Sequence, residues 1–135
     1  MAAEPSGTSD PLHVLLAEDD PCIRRVATVA LTRAGFTVCA VGDGAEALQV
    51  LEDALPDLVI LDGMMPKLDG LEACRYIRAN PRTARLPIIV LSARSQNADE
   101  DAARAAGADA YIRKPFDALT LGAQVREILG ALAAA

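Results

Sequence analysis

The chain has 135 residues, of which 52% are apolar and 24% charged, with two Tyr, two Phe and no Trp; this is the size of one domain and leaves no room for a second. A chain of this length buries roughly two thirds of its unfolded surface, so packing alone can hold it without disulfide or metal staples. Thirteen Lys and Arg against nineteen Asp and Glu give a net charge of -6, which argues against sequence-independent binding to nucleic acid or an anionic membrane and leaves proteins and small ions as partners.

Residues 1–11, MAAEPSGTSDP, lack the apolar content for a core and are expected to form a flexible leader, with one folded domain over residues 12–133. Met1–Asp10 carries no positive side chain and no apolar run, and no later segment reaches about eighteen apolar residues, so neither a signal peptide nor a membrane span is expected. Cys22, Cys39 and Cys74 stand outside any CxxC or Cys/His cluster. They read as small buried or half-buried hydrophobes, which suits a reducing, cytoplasmic compartment.

From His13 onward short apolar runs alternate with stretches of helical period. The runs are VLLA (14–17), FTVCAV (36–41), LVIL (58–61), PIIVLS (87–92) and AYIR (110–113). Four are continuous rather than alternating, the pattern of strands buried on both faces of a parallel sheet. Between them, Asp20-Pro21 starts a helix carrying Ile23, Val26, Ala27, Ala30 and Leu31, and Gly35 stops it. Asp43 with Glu46 makes a capping-box-like start for a second helix. Asp69-Gly70 opens a third, ending at Asn80-Pro81; residues 97–106 form a fourth, closed by Gly107; Asp117 is expected to cap a fifth, with Leu121, Val125, Ile128, Leu129 and Leu132 on one face. Five strands alternating with five helices imply a doubly wound α/β domain with a parallel sheet, whose sites lie at the carboxyl ends of the strands.

Those ends carry chemistry. The first run is followed by Glu18-Asp19-Asp20, and the third ends in Asp62. One cap needs one carboxylate, which Asp20 supplies; Glu18, Asp19 and Asp62 would repel one another unless a cation intervened, and Mg²⁺, a hard ion with oxygen ligands, suits them. The fourth run ends in Ser92 and the fifth leads into Lys114-Pro115, placing a hydroxyl and an ammonium at the same rim; the proline admits a cis peptide bond. Carboxylate nucleophile, metal, hydroxyl and ammonium together suit phosphoryl transfer to Asp62. The lone histidine, His13, begins the first strand at the opposite end, so no Ser/His/Asp triad is expected.

The segments HVLLAEDDP, VGDGAEALQVL, PDLVILDGMMPKLDGLEACRYIR, LPIIVLSA and GADAYIRKPF, in this order, resemble the receiver domain of two-component response regulators over about His13 to Leu132. The resemblance implies a flavodoxin-like (βα)5 fold with strand order 2-1-3-4-5. It implies Asp62 as phosphoacceptor, Asp19 and Asp62 as direct Mg²⁺ ligands, Glu18 acting through water, and the Met64 carbonyl as a further ligand. Ser92, Lys114 and Tyr111 take the places of the family's switch hydroxyl, lysine and switch aromatic. The phosphoryl donor would be a phosphohistidine of a sensor histidine kinase or a histidine phosphotransfer protein, docking near the first helix, with Arg24, Arg25 and Thr28 as exposed specificity residues.

Phosphorylation would change the surface of helix 4, strand 5 and helix 5 for a downstream protein target or a phosphorelay; the domain is expected to be a monomer or a weak, phosphorylation-dependent dimer, regulatory rather than an enzyme. After Lys114-Pro115 only one helix and an Ala tail remain, so the sequence reads as a stand-alone receiver or a piece of a longer regulator, without direct DNA binding. Three positions depart from common patterns: Glu18 where many relatives have Asp, Met64 two residues after the acceptor and Arg94 two after the switch hydroxyl. Neither Met64 nor Arg94 can orient an attacking water, which implies slow self-dephosphorylation. The competing readings are a pseudo-receiver scaffold that is never phosphorylated, and an aspartate-nucleophile phosphohydrolase of the haloacid-dehalogenase type. The latter would need a second Asp where Met64 stands.

Overall fold

The structure, a computed structural model, describes residues 11–65, 68–92 and 97–134; the expected leader, apart from Pro11, and Arg94 lie outside the described residues. Five strands, β1 (His13–Ala17), β2 (Thr37–Val41), β3 (Leu58–Asp62), β4 (Ile88–Ser92) and β5 (Ala110–Arg113), alternate with five helices, α1 (Pro21–Arg33), α2 (Gly44–Asp53), α3 (Gly70–Ala79), α4 (Asn97–Ala105) and α5 (Leu121–Ala134). The strands form one sheet in the order β2-β1-β3-β4-β5, every pair parallel. This is the doubly wound (βα)5 architecture expected from the alternation, with the order that the family resemblance implies.

Successive side chains of a strand point to opposite faces, and the core divides accordingly. Leu15, Ala17, Val59, Leu61, Ile88 and Val90 pack under α2, α3 and α4, whereas Val14, Leu16, Leu58, Ile60, Ile89 and Leu91 pack under α1 and α5. Only β3 and β4 are buried throughout, β1 being buried beyond His13. The continuous run at β2 does not mean burial on both faces: Thr37, Cys39 and Ala40 are exposed, because β2 is an edge strand with a neighbour on one side only. The cysteine reading needs the same correction, since Cys22 and Cys39 are exposed and Cys74 alone is buried.

Helix starts follow the side-chain chemistry. Asp20 accepts from the Cys22 and Ile23 amides at 2.8 and 3.2 Å, and Pro21 occupies the first turn. Asp69 and Glu72 form a full capping box at α3. At α2, Asp43 accepts from the Glu46 amide at 2.8 Å, but the Glu46 carboxylate takes the Gly42 amide at 3.0 Å instead of closing a box. The fifth helix begins three residues later than expected: Asp117 turns the chain first, its carboxylate accepting from the Leu119 amide and its carbonyl from the Thr120 and Leu121 amides. Val26 on α1 is 46% exposed and does not join the core face predicted for it.

Two contacts fix the layers. Helices α1 and α5 meet so closely that a side chain at Gly122 would run into the Ala34 Cβ. Arg126, one turn on, donates to the Ala34 carbonyl and lies 4.6 Å above the Phe36 ring. At the opposite side Arg78 joins two loops: its Nε donates to the Gly107 carbonyl at 2.9 Å, Nη1 to the Ala84 and Leu86 carbonyls at 2.9 and 2.6 Å, and Nη2 to Asp109 at 2.8 Å. Asp109 also accepts from the Ile88 amide, so the guanidinium ties the end of α3 to the starts of β4 and β5.

An ammonium cannot reach carbonyls in so many directions. Arg78→Lys is therefore expected to cost about 1 to 2 kcal/mol and Arg78→Ala about 2 to 3 kcal/mol in urea denaturation. A lysine variant with the wild-type midpoint would show that charge alone is at work there.

Candidate functional site

The chain order places β1 between β2 and β3, so the strand order reverses there and a crevice opens at the carboxyl ends of β1 and β3. Glu18 follows β1 directly, and its amide extends the pairing to the Val41 carbonyl at 3.1 Å. Asp62 is the last residue of β3, paired with Leu91 of β4. Ser92 ends β4, and its carbonyl accepts from the Lys114 amide at 2.7 Å, bringing the chain beyond β5 back to the rim; the Lys114–Pro115 peptide is cis. Glu18, Asp62 and Ser92 are all buried, whereas Asp19 is exposed.

The structure brings the expected residues together. Carboxylate oxygens of Glu18, Asp19 and Asp62 lie within 4.8 Å of one another. The Lys114 ammonium sits 2.6 Å from Glu18 Oε1 and 3.3 Å from Asp62 Oδ1. Glu18 Oε2 accepts from the Asp20 amide at 3.1 Å. Met64 meets Asp62 through its amide, which donates to Asp62 Oδ1 at 3.1 Å. Ser92 stands across from Gly63, where an added Cβ would lie 3.5 Å from its own Cβ. Tyr111 is half-buried, and a cavity of about 210 Å³ lies between it, Ser92, Gly63 and Met64. His13 is exposed at the far end of β1, as expected.

The electrostatics reflect crowding. Burial pushes the Asp62 carboxyl up to about 7; the hydrogen bond and charge of Glu18 add to this, while the Met64 amide and the Lys114 ammonium oppose it. Lys114 is held above its ordinary value: burial would lower it, but its hydrogen bond to Glu18 and the charges of Asp62 and Glu18 outweigh that.

The donor set fits a divalent cation. Three carboxylates and one ammonium leave two negative charges, the charge of one Mg²⁺, and all the side-chain ligands are hard oxygens. Glu18 Oε1 is a buried atom without a well-directed hydrogen bond; its close neighbour is the Lys114 ammonium. Since Asp62 shares that ammonium, an ion or its bound water can serve as a further partner for this oxygen.

Two contributors were not legible in the sequence. Gly70 begins α3 directly against Asp62, where a Cβ would strike the Asp62 carbonyl; the Asp69-Gly70 pair signals a helix start but not this close approach. Arg24 is half-buried, its Nη1 donating to the Glu18 carbonyl at 2.9 Å, so it is not an exposed specificity residue. Its spacing four residues after Asp20 places it one turn into α1, which was the available signal. Thr28 is also half-buried, bonding the Arg24 carbonyl at 2.7 Å, while Arg25 is exposed as expected.

Comparison with known proteins agrees with this geometry. The family model of the response regulator receiver domain matches residues 14–126. The transcriptional regulatory protein CseB of Streptomyces coelicolor is 43% identical over 121 residues, covering 90% of this chain and 50% of that protein. The chain thus spans about half the length of the curated relatives it matches. Among solved structures, the chemotaxis response regulator CheY4 of Vibrio cholerae superposes with a TM-score of 0.83 at 29% identity, covering 87% of this chain and 98% of that one. The receiver domain of the sensor histidine kinase PA1611 from Pseudomonas aeruginosa, with a magnesium ion coordinated in its active-site cleft, gives 0.81 at 33% identity, covering 89% and 98%. From its ladder order to the acid and lysine residues at its rim, and by its match over most of its length, the chain belongs to the response regulator receiver family of two-component signalling.

Proposed function

We propose that the chain is a phosphorylation-dependent switch in which Asp62 accepts a phosphoryl group with the aid of Mg²⁺. The observation that carries this is the convergence of Asp62 with two further acids and the Lys114 ammonium in one pocket at the switch point of the sheet. The donor is a phosphohistidine of a sensor histidine kinase or a histidine phosphotransfer protein. An Asp62 carboxylate oxygen attacks phosphorus, a P–O bond forms, and the N–P bond breaks with its electron pair going to the imidazole nitrogen. Bound between Glu18, Asp19, Asp62 and the Met64 carbonyl, Mg²⁺ would supply charge neutralisation of the transferring oxygens. Lys114 supplies the second positive charge and the Met64 amide and Ser92 hydroxyl are hydrogen-bond donors at the rim.

The donor docks on α1 and the turn after β5, where Cys22, Ile23, Val26, Pro115 and Phe116 line an apolar groove beside Lys114. The partners are proteins, the compartment is the cytoplasm, and the folded unit is residues 12–133. Phosphorylation adds negative charge and three acceptor oxygens at Asp62. Drawing Ser92 and Lys114 toward them opens the way for Tyr111 to turn into the neighbouring cavity, which changes the α4–β5–α5 face that a downstream protein reads. That target sees the phosphorylated state only by its differential affinity for the two surfaces.

Incubation with acetyl phosphate and Mg²⁺ is expected to add one phosphoryl mass to the wild type, and none to Asp62→Asn or in the presence of EDTA, read by intact mass. Unmodified wild type under beryllofluoride and acetyl phosphate alike would favour the pseudo-receiver reading. With Met64 and Arg94 at the two positions flanking the acceptor and switch hydroxyl, the label is expected to persist for minutes or longer after removal of the donor; loss within seconds would contradict their role.

The raised carboxyl also has a signature in stability. Asp62 ionises near 3.8 in the unfolded chain but near 7 in the folded one. Folding therefore bears the cost of its charge increasingly as pH rises through this window, and fully above about pH 7. Without divalent cations, Asp62→Asn is expected to be more stable than wild type by roughly 2 to 4 kcal/mol above about pH 7, the gap closing toward about pH 4. Thermal or urea denaturation across this range reads it, and a gap that ignores pH would show that Asp62 does not carry the shifted proton.

A further inference from the structure

The side chain of Arg24 runs back along the β1–α1 turn. Its backbone amide is held by the Asp20 carbonyl at 2.8 Å, and its Nη1 donates to the Glu18 carbonyl at 2.9 Å. The guanidinium rests over Gly42, where an added Cβ would lie 3.3 Å from Nη1 and 3.4 Å from the Glu46 carboxylate, so it occupies a slot between two turns. The carbonyl it holds belongs to the peptide joining Glu18 to Asp19. On either side the chain is already tied, by the Glu18 amide on Val41 and by Asp20 capping α1. One hydrogen bond from Arg24 therefore fixes the tilt of the peptide that carries both acids, and it does so without touching a carboxylate.

Resting on the reading above, we propose that Arg24 is a positioning residue for the cation site: it orients Glu18 and Asp19 toward Asp62 and thereby sets the affinity for Mg²⁺. Mg²⁺ demands near-octahedral geometry, so a small rotation of the ligand-bearing peptide is felt as weaker binding. Groups that orient metal ligands from behind are worth on the order of 10- to 100-fold in affinity. Charge and position pull in opposite directions here, which separates the two. As a mere positive charge beside the site, Arg24 would oppose the cation, and its neutralisation would tighten binding. As a positioning group, its loss weakens binding.

The test is Mg²⁺ titration of wild type, Arg24→Gln, Arg24→Lys and, at the exposed far end of α1, Arg33→Gln, followed by the amide NMR shifts of residues 18–20. In parallel, the Mg²⁺ dependence of acetyl phosphate labelling is read by intact mass. Both Arg24 variants are expected to need about tenfold more Mg²⁺ for half-saturation, with labelling at saturating Mg²⁺ within about twofold of wild type, while Arg33→Gln matches wild type. Unchanged or tighter Mg²⁺ binding by Arg24→Gln overturns the proposal, as does a loss of labelling that saturating Mg²⁺ does not restore. Should Arg24→Gln fail to fold, Arg24→Lys carries the same comparison, since it keeps the charge and loses the reach to the carbonyl. A wild type that neither binds Mg²⁺ nor is labelled overturns the underlying reading instead.

Discussion

Three carboxylates within 4.8 Å of one another at a buried sheet edge are unfavourable, and the rest of the molecule is arranged around that repulsion. Lys114 offsets part of it, a proton on Asp62 offsets more near neutral pH, and Glu18 turns one oxygen to the Asp20 amide. None of these removes the charge fully. With Asp62 ionised the pocket is two charges short, which matches a divalent cation and, in the proposed function, the developing charge of a phosphoryl group. The same imbalance that costs stability in the metal-free protein is the driving force for binding, because anything that supplies positive charge there is rewarded by relief of an existing cost.

The extra methylene of Glu18 relative to aspartate matters to this balance. It lets one carboxylate reach both the Asp20 amide and the Lys114 ammonium from a backbone position that continues β1. Glu18 Oε1 lies nearer to Lys114 than Asp62 Oδ1 does, at 2.6 against 3.3 Å. The ammonium is thus shared unequally, with the longer acid holding it and Asp62 retaining the weaker contact. A phosphoryl group on Asp62 would bring oxygens within reach of an ammonium already poised in the pocket, and a cation drawing on Glu18 would loosen the stronger of its two ties.

Much of this was legible in the chain because the signals were local. Short apolar runs, Asp20-Pro21, Asp69-Gly70 and the Gly107 stop set elements within a few residues of where they lie, since caps and periodicity act over a single turn. Alternation of strand and helix then put residues 18, 19, 62, 92 and 114 at one edge by topology alone. What the pattern did not reveal was relational. That β2 is an edge, exposing Cys39, depends on the strand order and not on its composition. That Asp117 shapes a turn before α5 depends on a competition between two local hydrogen-bond patterns that the residue type alone does not decide. Gly70 and Arg24 act through close approach to a backbone carbonyl elsewhere, and a carbonyl has no letter in the sequence.

This last class also explains how rigidly the site is held. Arg24 grips the Glu18 carbonyl, Gly70 lets α3 press against the Asp62 carbonyl, and Gly63 donates its amide to the Leu91 carbonyl at 2.7 Å beside Ser92. Glu18 and Asp62 are therefore mounted on peptides held by neighbours, at or directly after the ends of their strands. The proposed switch needs such a fixed half, because a phosphoryl group on Asp62 would displace Ser92 and Tyr111 only if Asp62 itself did not yield. For that proposed switch, the held peptides on the β1–β3 side and the cavity on the β4–β5 side would be two halves of one requirement: the strain of a new charge would be taken up where movement changes the surface.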